Sequence, residues 1–335
     1  MCAIFTIAIT LSSCSFNING CKSTKSNNEA VNNNQSSEST QVQIPVKIPA
    51  TKEIVTTLCS DEFEGRLIGS KGNEKAGEYI AGVFKNIGLD TLFEDSYYQK
   101  YYQGVSNTLG NYGNNTKLKM VNNVVGIIKG KEGKERRKAV VISAHFDHEG
   151  YQDGKIIRGA LDNASGVSAL IQIAHTLKER SKEKSFDTDI IIAAFNGEET
   201  NLSGSKAFIG AILAYMYDNY NLYNINIDCI GSKNGGKLAL KNKSSVSNKL
   251  YDAVKTTMKK NNIEFADTTV RGTSDHKSFE NVDIPNVFIV QENINKLVHN
   301  PTDTPDSLDY EQIDKIANAI SDFVETNNGI MFEAK

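Results

Sequence analysis

The chain has 335 residues, 39% of them hydrophobic and 23% charged, with no tryptophan. That length and composition fit one large α/β domain or two small ones, with ample core. A net charge of -3 and a pI near 6.0 leave no basic footprint and argue against nucleic acid as a partner. Beyond residue 20 no apolar stretch reaches the roughly 20 residues that a membrane span needs.

Residues 3–11 form a short apolar segment that ends in Leu11-Ser12-Ser13-Cys14. Small residues before a cysteine at such a point resemble the bacterial lipoprotein cleavage site, where the cysteine becomes the lipidated first residue. No Lys or Arg precedes Cys14, so the basic start of such a signal is missing. Residues 1–14 are therefore expected to be a lipoprotein-type signal segment. The protein is then exported and anchored through Cys14 on the outer face of a bacterial membrane. Residues 15–47, rich in Asn, Ser, Gln and Thr, bury too little apolar surface to offset their ordering entropy and read as a disordered tether. Cys2, Cys14 and Cys21 lie in this N-terminal part. Cys59 and Cys229 alone remain in the body, and no C-x-x-C pair suggests a thiolate metal site.

One folded domain is expected over 48–330. Ile54 and Leu58, then Ala76, Ile80, Val83, Phe84 and Ile87, recur at helical spacing, with Gly88 as a C-cap. Glycines punctuate the loop between them, from Glu64 to Gly72. Residues 96–118 are polar, rich in Tyr and Asn and without periodicity, which suits either a cap over a site or a disordered loop. The segments 124–128, 139–144, 189–195, 224–230 and 286–290 then read as strands, and 165–180, 203–217, 246–261 and 310–326 as helices. Strands alternating with helices predict a three-layer α/β/α sandwich around a central mixed, mostly parallel sheet. Sites in such sheets lie beyond the carboxyl ends of the strands.

Several acids and imidazoles fall at those ends. His145 and Asp147 follow 139–144; in an extended segment both can point the same way, so Asp147 can orient a metal-bound His145. A solvated strand-end pair explains them equally well. Asp162 sits in a Gly-rich loop before a helix, where it can either belong to the N-cap region or bridge two cations. Glu198 and Glu199 follow 189–195. One can bind metal while its neighbour takes a proton from water, or both can simply favour a helix N-terminus. Asp228 lies within an apolar strand, where a charge is expensive unless paired or metal-bound. His299 stands in the loop after the last strand, whereas His148, His175 and His276 are less favoured as ligands. Delivered together to one sheet edge, such residues are what a two-metal hydrolase needs.

Their order along the chain carries a family resemblance over about residues 50–328. It rests on Phe63-Glu64-Gly65-Arg66 with Gly69-Ser70, Ala144-His145-Phe146-Asp147 and Gly159-Ala160-Leu161-Asp162-Asn163-Ala164-Ser165-Gly166. Asn196-Gly197-Glu198-Glu199, Asp228 with Gly231, Ser274-Asp275-His276 with Phe279, and His299 with Asp303 complete it. The chain resembles the zinc aminopeptidase family of bacterial leucyl aminopeptidases and aminopeptidase Y, to which glutamate carboxypeptidase and glutaminyl cyclase are distant relatives. The resemblance implies two zinc ions per chain bridged by Asp162, with His145 and Asp228 completing one site and Glu199 and His299 the other. It makes Glu198 the general base, Asp147 the partner of His145, and peptide or protein N-termini the substrate. Val298 departs from relatives that carry tyrosine before the last histidine, so a hydroxyl is missing there. Arg271 is a weak candidate for substrate contact. A glutaminyl cyclase with one zinc, a carboxypeptidase using Arg271, and a non-catalytic surface lipoprotein are the alternatives.

Overall fold

Runs of Val, Ile and Ala without polar alternation form the middle of the sheet, because both of their faces are covered. Ile190, Ile191, Ile192, Ala193 and Ala194 are all fully buried. The computed structural model describes residues 47–106, 116–131, 137–215, 220–241, 245–266 and 272–332. The expected signal segment with Cys14, nearly all of the expected tether, and Arg271 lie outside the described residues.

In chain order the elements are α1 (Thr51–Leu58), α2 (Lys71–Ile87), β1 (Asp90–Thr91), β2 (Tyr98–Val105), β3 (Lys117–Ile128) and β4 (Arg137–His145). Next come β5 (Gly150–Gln152), β6 (Lys155–Ile157), α3 (Ser165–Glu183), β7 (Asp189–Phe195), α4 (Ser203–Tyr215) and β8 (Tyr220–Ile227). They end with β9 (Leu238–Lys241), α5 (Asn248–Lys260), α6 (His276–Glu280), β10 (Asn286–Gln291) and α7 (Tyr310–Thr326). The main sheet has the order β1-β3-β7-β4-β8-β10-β9, with β2 paired to β3. The central strands β7, β4, β8 and β10 are parallel to their neighbours among themselves. The flanking pairs β1/β3, β2/β3, β3/β7 and β9/β10 are antiparallel.

Alternation along the strands then builds three layers. Val140, Ile142 and Ala144 of β4 join the cluster that includes α2, α3 and α7, while Ala139 and Val141 join the cluster of α4 and α6. The mixed α/β/α sandwich predicted from the sequence is present, with its parallel part at the centre. Gly88 ends α2 in the left-handed conformation (φ 83°), and its N–H reaches the carbonyls of Phe84 and Lys85. The helix predicted at 310–326 has those same limits.

Two expectations need correction. Residues 98–105 and 117–123, inside or beside the region without periodicity, form the paired strands β2 and β3. Tyr102, Leu118 and Met120 are exposed there, so no half-buried pattern marks the hairpin in the sequence. Residues 107–115 lie outside the described residues. The strand predicted at 224–230 ends at Ile227, so Asp228 lies just past the strand rather than within it. Cys229 follows with a left-handed backbone (φ 53°), which turns the chain out of the strand direction just after Asp228.

Before α2 the chain makes a tight turn in which Glu64, Gly65 and Arg66 all have positive φ. Gly65 is required there, since a Cβ would collide with the carbonyl oxygens of Gly150 and Ile157. The turn buries Arg66 completely. Its guanidinium donates to the carbonyls of Phe146 (2.7 Å), Leu58 (2.8 Å), Arg158 (2.8 Å) and Gly159 (2.8 Å). Beside it, burial pushes the Cys59 thiol up to about 11 despite the opposing charge of Arg66. At pH 8 Cys59 therefore stays a thiol and reacts slowly. Peptide mapping after iodoacetamide treatment should find Cys59 unmodified in the native protein and alkylated in denaturant. Rapid native labelling would show that the Cys59 pocket opens.

Candidate metal centre

Register delivers the first ligands. His145 is the last residue of β4 and pairs with Phe195, the last residue of β7. Ser143 pairs with Asn226, so His145 and Asp228 each lie two residues beyond one rung of the β4/β8 ladder. Strands ending level in this way put His145, the Asn196-Gly197-Glu198-Glu199 turn and Asp228 on one rim. This is the edge at which parallel sheets place their sites.

Asp162 joins them from the loop before α3. Its Oδ1 lies 3.2 Å from His145 Nε2 and its Oδ2 lies 2.8 Å from His299 Nε2. The competing role at the helix start belongs to its neighbour: Asn163 Oδ1 accepts the N–H of Gly166 (2.9 Å) and also that of Cys229 (3.2 Å). Asn163 Nδ2 donates to the Ile227 carbonyl (3.0 Å), tying this loop to the end of β8. Asp303 ties it to the His299 loop, its carboxylate accepting the N–H groups of Leu161 (2.7 Å) and Asp162 (3.1 Å). Burial pushes the Asp303 carboxyl up to about 6.

Two overlapping groups result around Asp162: His145–Asp162–Asp228, and a second built on Glu199, which could share an ion with Asp162 and His148 or with Glu149 and His299. His145 Nε2 is 3.3 Å from Asp228 Oδ1, and His299 Nε2 is 3.4 Å from Glu199 Oε1. The His145 Nε2 and Asp228 Oδ1 atoms are buried without a hydrogen-bond partner, although they face each other. Among the described residues no Lys or Arg forms an ion pair with Asp147, Asp162, Glu198, Glu199 or Asp228. So many buried acids are costly without a cation, and a mixed imidazole–carboxylate set matches zinc. The residues present therefore fit metal ions at both groups.

The electrostatics agree. Burial alone would lower the His145 pKa, but Asp228, with Asp147 and Asp162, holds it well above the usual range. Glu198 is half-buried and its carboxyl lies well above the usual carboxylate range. Burial raises it most, and Glu199 and Asp228 add to this against the opposing pull of His145. Glu199 goes the other way: burial and Asp162 would raise it, yet the rings of His148 and His299 bring it to about 2. Adjacent acids are thereby pushed apart, one toward proton transfer and the other toward a permanent charge.

Asp147 stands differently from the simple orienting role. Its carboxylate lies 3.6 Å from His145 Nδ1, beyond hydrogen-bond range, while its own backbone carbonyl is 3.2 Å from that nitrogen. The carboxylate instead accepts the N–H groups of Glu198 (3.0 Å) and Glu199 (3.3 Å). Asp147 thus fixes the turn that carries the two glutamates. Ser274-Asp275-His276 supports the same rim from behind. Asn226 Nδ2 donates to Ser274 Oγ (2.9 Å), and the His276 ring stacks on Phe288 with centroids 4.7 Å apart. His175 lies on α3, away from the cluster residues named here.

Of the residues singled out in the sequence, His145, Asp147, Asp162, Glu198, Glu199, Asp228 and His299 are brought together. Arg271 lies outside the described residues, and Val298 is half-buried against the core. Two neighbours stand beside them: His148, less favoured as a ligand from the sequence, and Glu149, which the sequence did not single out. His148 is fully buried with Nδ1 3.0 Å from Glu199 Oε1, and Glu149 Oε1 lies 3.2 Å from His299 Nδ1. Their position directly after His145-Phe146-Asp147 was the only sequence signal for them.

The profile of peptidase family M28 matches residues 123–324. Aminopeptidase YwaD of Bacillus subtilis (strain 168) is 24% identical over 206 residues, which is 59% of this chain and 43% of that protein. The match thus spans less than half of that relative's length. A solved zinc aminopeptidase from Bacillus subtilis superposes with a TM-score of 0.67 at 16% identity, over 86% of this chain and 98% of its own. A Porphyromonas gingivalis glutaminyl cyclase does so with a TM-score of 0.64 at 18% identity, over 84% of this chain and 98% of its own. At these identities the structural likeness is one of fold. The profile covers more than half of the chain and takes in the entire cluster from His145 to Asp303, so the chain belongs to peptidase family M28.

Proposed function

We propose that the protein is a zinc-dependent aminopeptidase that hydrolyses N-terminal peptide bonds with two zinc ions per chain. The observation that carries this reading is the Asp162 carboxylate, whose two oxygens face different histidines, His145 at 3.2 Å and His299 at 2.8 Å. A carboxylate so divided suits a bridging ligand. His145 and Asp228 would complete one position, and Glu199 and His299 the other. Zinc bound there would polarise the scissile carbonyl and lower the pKa of the attacking water.

The remaining work falls to the chain. Glu198, with its raised pKa, takes a proton from the water and hands it to the leaving amine. Asp147 holds Glu198 and Glu199 by their backbone N–H groups, which fixes the turn that carries both side chains. The acidic rim attracts the free α-amine of a substrate, which restricts cleavage to chain ends. Valine at 298 has no hydroxyl to donate to the developing oxyanion, so that stabilisation is left to other groups.

A panel of aminoacyl-p-nitroanilides should be cleaved by the purified protein, and a chelator should abolish the activity. Zinc analysis should return about two ions per chain. Activity that survives chelation would overturn the zinc reading. One zinc with cyclisation of N-terminal glutamine would favour the cyclase alternative.

A further inference from the structure

The cluster requires more than its ligands, since each ligand must be held at a set angle. A metal-bound imidazole ordinarily gives its second nitrogen to a carboxylate or carbonyl, and a ligating carboxylate is itself hydrogen-bonded. For the His145 half such a partner is on the chain already, in the Asp147 carbonyl 3.2 Å from Nδ1. The Glu199–His299 half has none among the residues assigned so far.

Two residues that the proposed mechanism does not use fill that gap. His148 is fully buried, and its backbone N–H donates to the Arg66 carbonyl (3.2 Å). Gly159 leaves room for its ring, which a Cβ at that position would strike. So confined, the ring presents Nδ1 to Glu199 Oε1 at 3.0 Å. Glu149 acts on the other ligand. The His299 side chain is 46% exposed, so its ring depends on the few groups beside it, among them the His148 ring lying edge-on with centroids 5.7 Å apart. Its Nε2 faces Asp162 and Glu199, and its Nδ1 lies 3.2 Å from Glu149 Oε1.

Building on the two-zinc reading above, we propose that His148 and Glu149 are positioning residues for the second metal position. His148 fixes the Glu199 carboxylate by donating from Nδ1, and Glu149 fixes the His299 ring by accepting from its Nδ1. Asp147, His148 and Glu149 then form one strip of consecutive residues that orients both halves of the centre.

The test is a titration of zinc-free protein with Zn²⁺ alone, against a chromophoric competitor that resolves the two equivalents. His148→Ala and Glu149→Ala should leave the first equivalent unchanged and weaken the second by about 10–100-fold. His148→Asn, whose amide nitrogen takes the place of Nδ1, and Glu149→Gln, which keeps an acceptor, should restore most of that loss. The role is overturned if the second equivalent is unaltered in both alanine variants. It is equally overturned if His148→Asn is as weak as His148→Ala, or if both equivalents vanish together. Fewer than two equivalents in the unmodified protein would defeat the two-zinc reading itself, a result distinct from these.

Discussion

Glu198→Gln lowers kcat by about 10²–10⁴-fold while zinc content stays at the level of the unmodified protein. The amide keeps the size of the side chain, and the contact that holds this turn is made by the Glu198 backbone N–H to Asp147 at 3.0 Å, which the substitution leaves in place. What disappears is a carboxyl able to carry a proton from water to the leaving amine. Its raised pKa suits that task, because a group ionised far below neutrality returns a proton poorly. Steady-state kinetics on leucyl-p-nitroanilide, paired with metal analysis of the same sample, check the expectation. Near-normal kcat would remove Glu198 from the role, and loss of zinc would make it a ligand instead.

Arg66→Met destabilises the fold by on the order of 4 kcal/mol, among the larger effects of single substitutions. Met fills much of the volume but removes the guanidinium donor from the carbonyls of Leu58, Phe146, Arg158 and Gly159, of which Gly159 keeps the Ala164 N–H and Arg158 the Cys59 thiol. Two of those carbonyls belong to the metal-site segments. Phe146 lies between His145 and Asp147, and Gly159 opens the loop of Asp162. Zinc affinity should therefore fall along with stability. Arg66→Lys recovers only part of the loss, since one ammonium cannot reach four carbonyls arranged around a planar fork. Urea unfolding of the three proteins measures the series. A midpoint for Arg66→Met equal to that of the unmodified chain would mean that water satisfies those carbonyls.

Local patterning made much of the fold legible. Nearly continuous apolar runs at 139–144 and 189–195 correspond to β4 and β7, and the pattern at 310–326 corresponds to α7. Burial on two faces, or along one helical stripe, leaves such marks in the sequence itself. Residues 98–105 and 117–123, the outer part of the β2/β3 pair, left none, because Tyr102, Leu118 and Met120 face outward and Lys117 and Lys119 flank Leu118. Asp228 appeared to lie inside a strand, since the apolar residues Ile227 and Ile230 surround it. Only the end of β8 at Ile227, followed by the turn at Cys229, leaves it at the rim.

The site divides along the same line. The types of ligand and their order, from His145 to His299, are properties of the chain alone, because the chemistry demands particular donors and their sequence places each after an apolar run. Pairing is not such a property. Which histidine faces which oxygen of Asp162 depends on the register of β4 against β7 and β8, and on the Asn163 and Asp303 bonds that position the loop. The same holds for Asn163 rather than Asp162 at the start of α3, and for His148 and Glu149 beside Glu199 and His299. These contacts join residues distant along the chain, and side-chain type carries no record of distance. Composition and order thus determined the fold class and which donor types reach the sheet edge, while strand register and loop hydrogen bonds decided how they face one another.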